Sequence, residues 1–372
     1  MVPWNGVNVQ RFQGRRWLPG GGHSSIRKGK PMARIGILTS GSDCPGLNAV
    51  IRSCVLQGIR VYADEFVGFT DGWRGAIEGT TTTLDPINVR EIEGLGGTIL
   101  GTSSTSPLRD GGVERIEANL RSLGVEALIV IGGEGTLAAA ELLGDRGIPI
   151  VAVPKSLDND LAASDLSFGF HTAVEIATEA IDRLKTTGQS HHRCMIAEVI
   201  GRNAGWVALH AGMATSAHAI LIPEESASLS EICEWVAGPF HRGRTPLVVV
   251  AEGFVTDEMA RPRPERGLAA FDRPRIGGIG HRLESLLEER TGIETRCTTL
   301  GLIQRGGAPS ASDRVLATRL GLAAVDAVHN GARAHMLATR ADSIVLVPIA
   351  ESRGRLKTVP RARYSETAHL FG

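Results

Sequence analysis

Ala127-Leu-Ile-Val-Ile-Gly-Gly-Glu-Gly-Thr136, followed by Ile148-Pro-Ile-Val-Ala-Val-Pro-Lys-Ser-Leu-Asp-Asn-Asp160, sets the architecture. Ala127–Ile131 and Ile148–Val153 are short apolar runs, and Leu137–Leu143 between them has helical spacing. Strand, helix and strand in this order make one β-α-β unit with parallel strands. Ligands of such sheets bind where the strands end. Glycines at 132, 133 and 135 admit a bulky anion, and the following helix turns its N–H groups and positive dipole end toward it, so a phosphate is expected. Glu134, Asp158 and Asp160 add carboxylates that suit a magnesium ion and a general base. A glycine turn capped by structural aspartates is the alternative, and the coupling of GGEGT to DND favours catalysis.

Working outward, the 372 residues suffice for two domains, and 42% of them are hydrophobic. Forty basic residues balance forty acidic ones, so bulk charge implies neither a nucleic acid nor a membrane surface. Cys44, Cys54, Cys194, Cys233 and Cys297 show no C-x-x-C spacing, which fits core thiols in a reducing cytoplasm. No apolar run approaches the roughly 20 residues of a membrane span. Residues 1–31 carry six Arg or Lys and no acid, with Pro19-Gly-Gly-Gly22 in their middle. They read as a disordered extension or one preceding a true start at Met32, with a basic targeting arm as the alternative.

Arg34–Leu38 reads as a first strand, Thr39-Ser-Gly-Ser-Asp-Cys-Pro-Gly46 as a second phosphate-loop candidate, and Leu47–Ile59 as a helix. With Arg60–Phe69 as a strand and Glu114–Leu123 as a helix, residues 34–160 read as a doubly wound α/β domain, joined by a C-terminal segment. Residues 161–340 read as a second α/β domain. A long helix runs from Thr172 to about Lys185, and strands are expected at Cys194–Val199, His218–Ile222, Thr245–Ala251 and Thr295–Leu302. Helices are expected at Gly205–Ala214, Ser230–Phe240, Gly277–Arg290 and Ser312–Val328, and an exposed Arg/Pro-rich loop at Asp257–Arg275.

Arg193, Arg202, Arg296 and Arg305 occupy loops or strand ends in this half. Guanidinium groups grip phosphate through paired hydrogen bonds, so four of them opposite a phosphate loop point to a second phosphorylated ligand; singly, each reads as a solvated arginine. Glu252 ends a strand where sugar hydroxyls could be read, or caps it. His191 and His192, adjacent on a segment read as extended, point to opposite faces and do not share a metal.

Seven stretches together resemble the ATP-dependent 6-phosphofructokinases, above all the actinobacterial ones. They are Leu38-Thr-Ser-Gly-Ser-Asp-Cys-Pro-Gly-Leu-Asn48, Gly96–Gly101, Ile131–Thr136, Val153–Asp160, Ala180–Thr187, Gly201–Trp206 and Leu300-Gly-Leu-Ile-Gln-Arg-Gly-Gly307. The resemblance implies two similar Rossmann-like α/β/α domains with largely parallel sheets and an active site in the cleft between them. It implies a cytoplasmic glycolytic enzyme taking MgATP and fructose 6-phosphate to ADP and fructose 1,6-bisphosphate. Asp158 would be the base toward the sugar 1-hydroxyl, with Ser156, Lys155 and Arg202 in the catalytic set, and Arg202 on the transferring phosphoryl group. Gly41, Ser42, Gly133, Glu134, Gly135 and Thr136 would cradle the nucleotide, and Glu134 and Asp160 would hold Mg²⁺. Ser156, Leu157, Ile200, Gly201, Glu252, Leu302, Ile303 and Gln304 would line the sugar site. Arg193, Arg296 and Arg305 would grip the 6-phosphate, Arg193 and Arg296 from a neighbouring subunit of a homodimer or homotetramer.

Pyrophosphate-dependent relatives of that family place an aspartate at Gly135 together with a lysine at Lys155, and the aspartate fills the space of the nucleotide α-phosphate. Gly135 leaves that space open, so ATP is favoured despite Lys155. Three departures stand out: Ser42 replaces a glycine, Ser104 replaces a phosphate-contacting arginine in a shortened loop, and Leu302 replaces a histidine toward the 6-phosphate. Losing one charged hydrogen bond costs about 1.5–3 kcal/mol. Another acceptor such as sedoheptulose 7-phosphate, pyrophosphate as donor, and a catalytically weak regulatory subunit therefore stand as alternatives. Arg52 matches one effector-site arginine of bacterial relatives and Leu56 stands where another is expected, so regulation is left open.

Overall fold

The computed structural model describes residues 33–256, 278–367, 369 and 371; the basic extension and the Arg/Pro-rich loop lie outside them. Among the described residues the strands are β1 (Arg34–Ser40), β2 (Glu65–Phe69), β3 (Thr81–Leu84), β4 (Ala127–Gly132), β5 (Ile150–Pro154), β6 (Cys194–Val199), β7 (Ala219–Leu221), β8 (Leu247–Ala251), β9 (Thr295–Thr299), β10 (His335–Arg340) and β11 (Ser343–Pro348). The helices are α1 (Leu47–Gln57), α2 (Trp73–Glu78), α3 (Gly112–Ser122), α4 (Glu134–Asp145), α5 (Phe170–His191), α6 (Trp206–Ala214), α7 (Leu229–His241), α8 (Ile279–Thr291), α9 (Ala311–His329) and α10 (Arg361–Ser365). None of them is long and apolar enough to cross a membrane. Two compact units result: the described residues up to Lys155 with Ala163–Leu166 and Arg314–Arg353, and those of Ser156–Ala162, Ser167–Asp313 and Gly354–Gly372.

The first unit is built on a seven-stranded sheet in the order β11-β10-β5-β4-β1-β2-β3. β4 and β5 are buried at every position and β1 at all but Arg34, as expected of parallel strands covered on both faces. Both edges are antiparallel, β2 with β3 and β10 with β11. From β1 the chain first builds β2 and β3 on one side and then returns to place β4 on the other. The strand order therefore reverses between β1 and β4, whose last residues, Ser40 and Gly132, are paired in register. Ligands of open α/β sheets sit at such a reversal, beyond the carboxyl ends.

One expected strand is half replaced. Instead of Arg60–Phe69, α1 widens into a π turn over Gly58–Tyr62, and the strand begins only at Glu65. The chain leaves that turn through a left-handed Ala63, with the Asp64 N–H donating to the Gly58 carbonyl at 3.2 Å. Arg60-Val-Tyr62 mimics strand alternation, yet Val61 is 53% exposed. His191 and His192 likewise sit on no extended segment: His191 ends α5, and His192 caps it in the left-handed conformation.

The second unit carries a parallel four-stranded sheet in the order β7-β8-β6-β9. Ile196, Val248, Val250 and Leu221 pack there with Ile232 and Val236 of α7 and Leu283 and Leu287 of α8. β9 stops at Thr299, three residues short of the expected end: Gly301, at φ 43°, turns the chain into a 3₁₀ segment that ends at Arg305. Of the cysteines read as core thiols, Cys44, Cys54 and Cys194 are buried, whereas Cys233 and Cys297 are only half-buried.

Candidate active site

In the first unit the loops after β1 and β4 lie at the reversal. Gly133 precedes α4 in an extended conformation and has no side chain to cap it, so the first turn, Glu134 to Thr136, turns its dipole and N–H groups to an anion. A Cβ on Gly133 would come within 3.3 Å of the Lys155 carbonyl, so the loops after β4 and β5 pack closely. Gly41 holds φ 84°, which favours glycine; its N–H donates to the Ser103 carbonyl at 3.1 Å and its carbonyl accepts the Thr102 hydroxyl at 2.6 Å. Lys155 is 4% exposed, and its ammonium donates to the Ser42 carbonyl and lies 3.3 Å from the Ser42 hydroxyl. A cation thus stands at the loop after β1, tied to Ser42. Ser104 is exposed.

Ser156–Asp160, in the second unit, form a braced turn. The Ser156 hydroxyl donates to Asp160 Oδ1 at 2.6 Å, and Asn159 adopts the left-handed conformation at φ 52°. Asn159 Oδ1 accepts the Ser167 N–H at 3.1 Å and the Lys357 ammonium at 2.8 Å, while the Asp160 carbonyl accepts the Lys357 N–H at 2.8 Å. Trp206 completes the brace, its indole N–H donating to the Lys357 carbonyl at 2.7 Å. Leu157 is buried and Asp158 half-buried, between flanks that these hydrogen bonds hold. Lys357 was not legible as a site residue: almost two hundred residues separate it from Asn159, and no motif surrounds it.

Beyond the carboxyl ends of β6, β8 and β9 come Arg202, Glu252 and Arg305. Gly201 holds φ 152°, and a Cβ on it would lie 2.9 Å from the Ala204 carbonyl and 3.0 Å from Ala251, so this tight passage requires glycine. Burial raises the Glu252 carboxyl above its ordinary value and Glu198 adds to the rise, while Arg305, Arg202 and a hydrogen bond at Gly201 oppose it. Ile200 is buried, and Gln304 is fully buried with its amide committed to backbone: its oxygen accepts the Ile200 N–H at 2.8 Å and its nitrogen donates to the Ala173 carbonyl at 3.3 Å. Leu302 and Ile303 are 77% and 65% exposed.

Arg193 and Arg296 stand elsewhere. They flank the amino ends of β6 and β9 and share one carboxylate, Glu294, at 2.8 Å and 2.6 Å. Its pKa is lowered, chiefly by the hydrogen bond from Arg193. The length of β6, roughly 20 Å at about 3.3 Å per residue, separates this pair from Arg202. Four arginines on one ligand within this unit are therefore ruled out: there are two pairs, at opposite edges of one sheet.

Residues 34–328 match the family model described as Phosphofructokinase. The chain is 52% identical over 341 residues to a pyrophosphate–fructose 6-phosphate 1-phosphotransferase of Streptomyces coelicolor, covering 91% of this chain and 100% of the relative. It is 51% identical over 336 residues to ATP-dependent 6-phosphofructokinase 3 of the same organism, covering 90% and 98%. Among solved structures, phosphofructokinase from Saccharomyces cerevisiae matches with TM-score 0.75 and 31% identity over 86% of this chain and 45% of that one. A pyrophosphate-dependent phosphofructokinase from Marinobacter aquaeolei, 22% identical with TM-score 0.75 over 88% and 86%, shares the fold. With the family model spanning most of the chain and relatives about half identical over nearly their whole length, the chain belongs to the phosphofructokinase family of phosphotransferases.

Proposed function

We propose that this enzyme transfers the γ-phosphoryl group of MgATP to the 1-hydroxyl of fructose 6-phosphate. The braced turn Ser156–Asp160 carries the reading, because it fixes the base while its own flanks are already hydrogen-bonded. Asp158 accepts the hydroxyl proton as that oxygen bonds to the γ-phosphorus, and the bond from the γ-phosphorus to the bridging oxygen breaks, releasing ADP. Arg202 offsets the charge on the equatorial oxygens. Gly41, Ser42 and Gly133–Thr136 take the donor phosphates. Glu134 and Asp160 offer only oxygen donors, the set that suits Mg²⁺, which when bound supplies charge neutralisation on those phosphates. Arg305 and Glu252 take the sugar phosphate, helped by Arg193 and Arg296 from a neighbouring copy in a homo-oligomer, in the cytoplasm.

Pyrophosphate is the second reading. Supporting it are the Lys155 ammonium at the loop after β1 and the Streptomyces pyrophosphate–fructose 6-phosphate 1-phosphotransferase among its relatives. Supporting ATP is Gly135, where a carboxylate would stand in the way of an α-phosphate. Turnover with ATP and with pyrophosphate, against fructose 6-phosphate and sedoheptulose 7-phosphate, beside Asp158→Ala, tests both. ATP-dependent turnover of fructose 6-phosphate that vanishes in the variant is expected. Preference for pyrophosphate defeats the first reading, and no turnover with any pair defeats both.

A further inference from the structure

Three unlike ligand atoms converge on the outer flank of the second unit. His281 and Glu284, three apart and so on one face of α8, meet Cys297 of β9, and their ligating atoms all lie within 4.8 Å of one another. Imidazole Nδ1 and Glu284 Oε2 are 3.1 Å apart. Cys297 reaches this turn only because residue 280 is glycine: a Cβ there would lie 2.5 Å from its sulfur. His281 is 61% exposed and Glu284 23%, so the cluster is open to solvent.

We propose that His281, Glu284 and Cys297 form a three-ligand site for a divalent metal of the zinc class, with water in the fourth position. Nitrogen and thiolate sulfur are borderline and soft donors, which select against Mg²⁺ and Ca²⁺. Tetrahedral zinc, with Zn–S about 2.3 Å and Zn–N about 2.0–2.1 Å, sets such ligand atoms roughly 3.5 Å apart. The three ligand atoms, all within 4.8 Å of one another, lie near that spacing. The amino end of a helix ordinarily repels a cation, and here that field is answered. Glu198, 1% exposed, accepts the Gly280 N–H at 2.7 Å and the Gly278 N–H at 3.1 Å, so a buried carboxylate already sits on the dipole. Arg296 approaches Glu284 at 4.0 Å but has nearer partners in Glu288 and Glu294, to which it stays tied when the metal takes Glu284. Binding forms the S–metal bond and breaks S–H, releasing the proton to solvent. This site does not rest on the proposed donor or acceptor.

The full-length chain, stripped with chelator, is titrated with Zn²⁺ by calorimetry and with Co²⁺ by absorption. Saturable binding with a thiolate-to-cobalt charge-transfer band and tetrahedral ligand-field bands is expected. Cys297→Ser removes the charge-transfer band, His281→Ala and Glu284→Gln each weaken binding tenfold or more, and Cys233→Ser changes nothing. Absence of saturable binding overturns the site, as does a band that survives in Cys297→Ser or disappears in Cys233→Ser. Should Cys297→Ser not fold, the exposed His281→Ala variant decides, because full affinity in it also overturns the site.

Discussion

The two edges of the parallel sheet in the second unit carry the same residue type in opposite circumstances. Beyond the carboxyl ends, Arg202 and Arg305 stand near a half-buried Glu252 whose proton is held more tightly than usual. Beside the amino ends, Arg193 and Arg296 share the solvent-facing Glu294, which they hold ionised. Sequence position hides the difference, because all four arginines lie in loops or at strand ends. Strand direction reveals it: a loop leaving a parallel strand and a loop entering one are on opposite sides of the sheet. In the proposed reaction the first pair serves the chain's own substrate and the second serves a neighbour's.

The sharpest break of that comparison is Arg202→Ala. Removing a donor aimed at charge developing in the transition state costs about 10²–10³ in kcat, so turnover should fall by that factor with KM little changed. A loss confined to KM would move Arg202 from the phosphoryl group to ground-state binding. Arg296→Ala should do the converse: the lost charged hydrogen bond, about 1.5–3 kcal/mol, raises the KM for the sugar phosphate roughly ten- to a hundredfold. Its location is tested by mixing. Hybrid oligomers of Arg296→Ala and Asp158→Ala subunits should regain activity, since some sites then combine an intact Asp158 with an intact arginine from the neighbour. No recovery on confirmed subunit exchange would return Arg296 to its own chain.

How much of this could be read from the residues follows the same division. The β1, β4 and β5 cores were legible because strands buried on both faces leave uninterrupted apolar runs, and so was the glycine turn from β4 into α4. Legibility failed where backbone conformation, not patterning, decides: the π turn at Gly58–Tyr62 and the turn at Gly301 both end an apparent strand early. It failed too where the partner is distant in the chain. Lys357 on Asn159 and Glu198 on the Gly280 N–H have no local signature, although one braces the Ser156–Asp160 turn and the other the start of α8. Gln304 is a third case, since its motif gives no sign that its amide bonds the backbone of Ile200 and Ala173.

Glu252 gives a smaller effect, read in stability. Its raised pKa means that the folded chain holds this proton more tightly than the unfolded chain. Stability from this group is therefore present below the ordinary carboxyl range and lost as pH rises through the folded value. Glu252→Gln removes the pH-dependent cost. The Tm of the variant minus that of the parent should be near zero below about pH 4 and grow positive toward neutrality. A difference that does not change with pH would mean that the carboxyl is not perturbed by burial, and the contrast with Glu294 would disappear.

The smallest expected effect is at Leu302. This side chain is 77% exposed on the 3₁₀ segment that ends at Arg305. An exposed leucine contributes no hydrogen bond to an anion, whereas the histidine that the resemblance places at this position does. Leu302→His adds one donor beside the existing Arg305, in a solvated position where a neutral hydrogen bond is worth about 0.5–1.5 kcal/mol. The KM for fructose 6-phosphate should fall by a factor of about two to ten, with kcat unchanged. Because the imidazole is charged only below its pKa near 6.5, the gain should widen as the assay is moved from about pH 8 to about pH 6. An unchanged KM across that range would turn residue 302 away from the phosphate, leaving Arg305 as the contact that this segment makes.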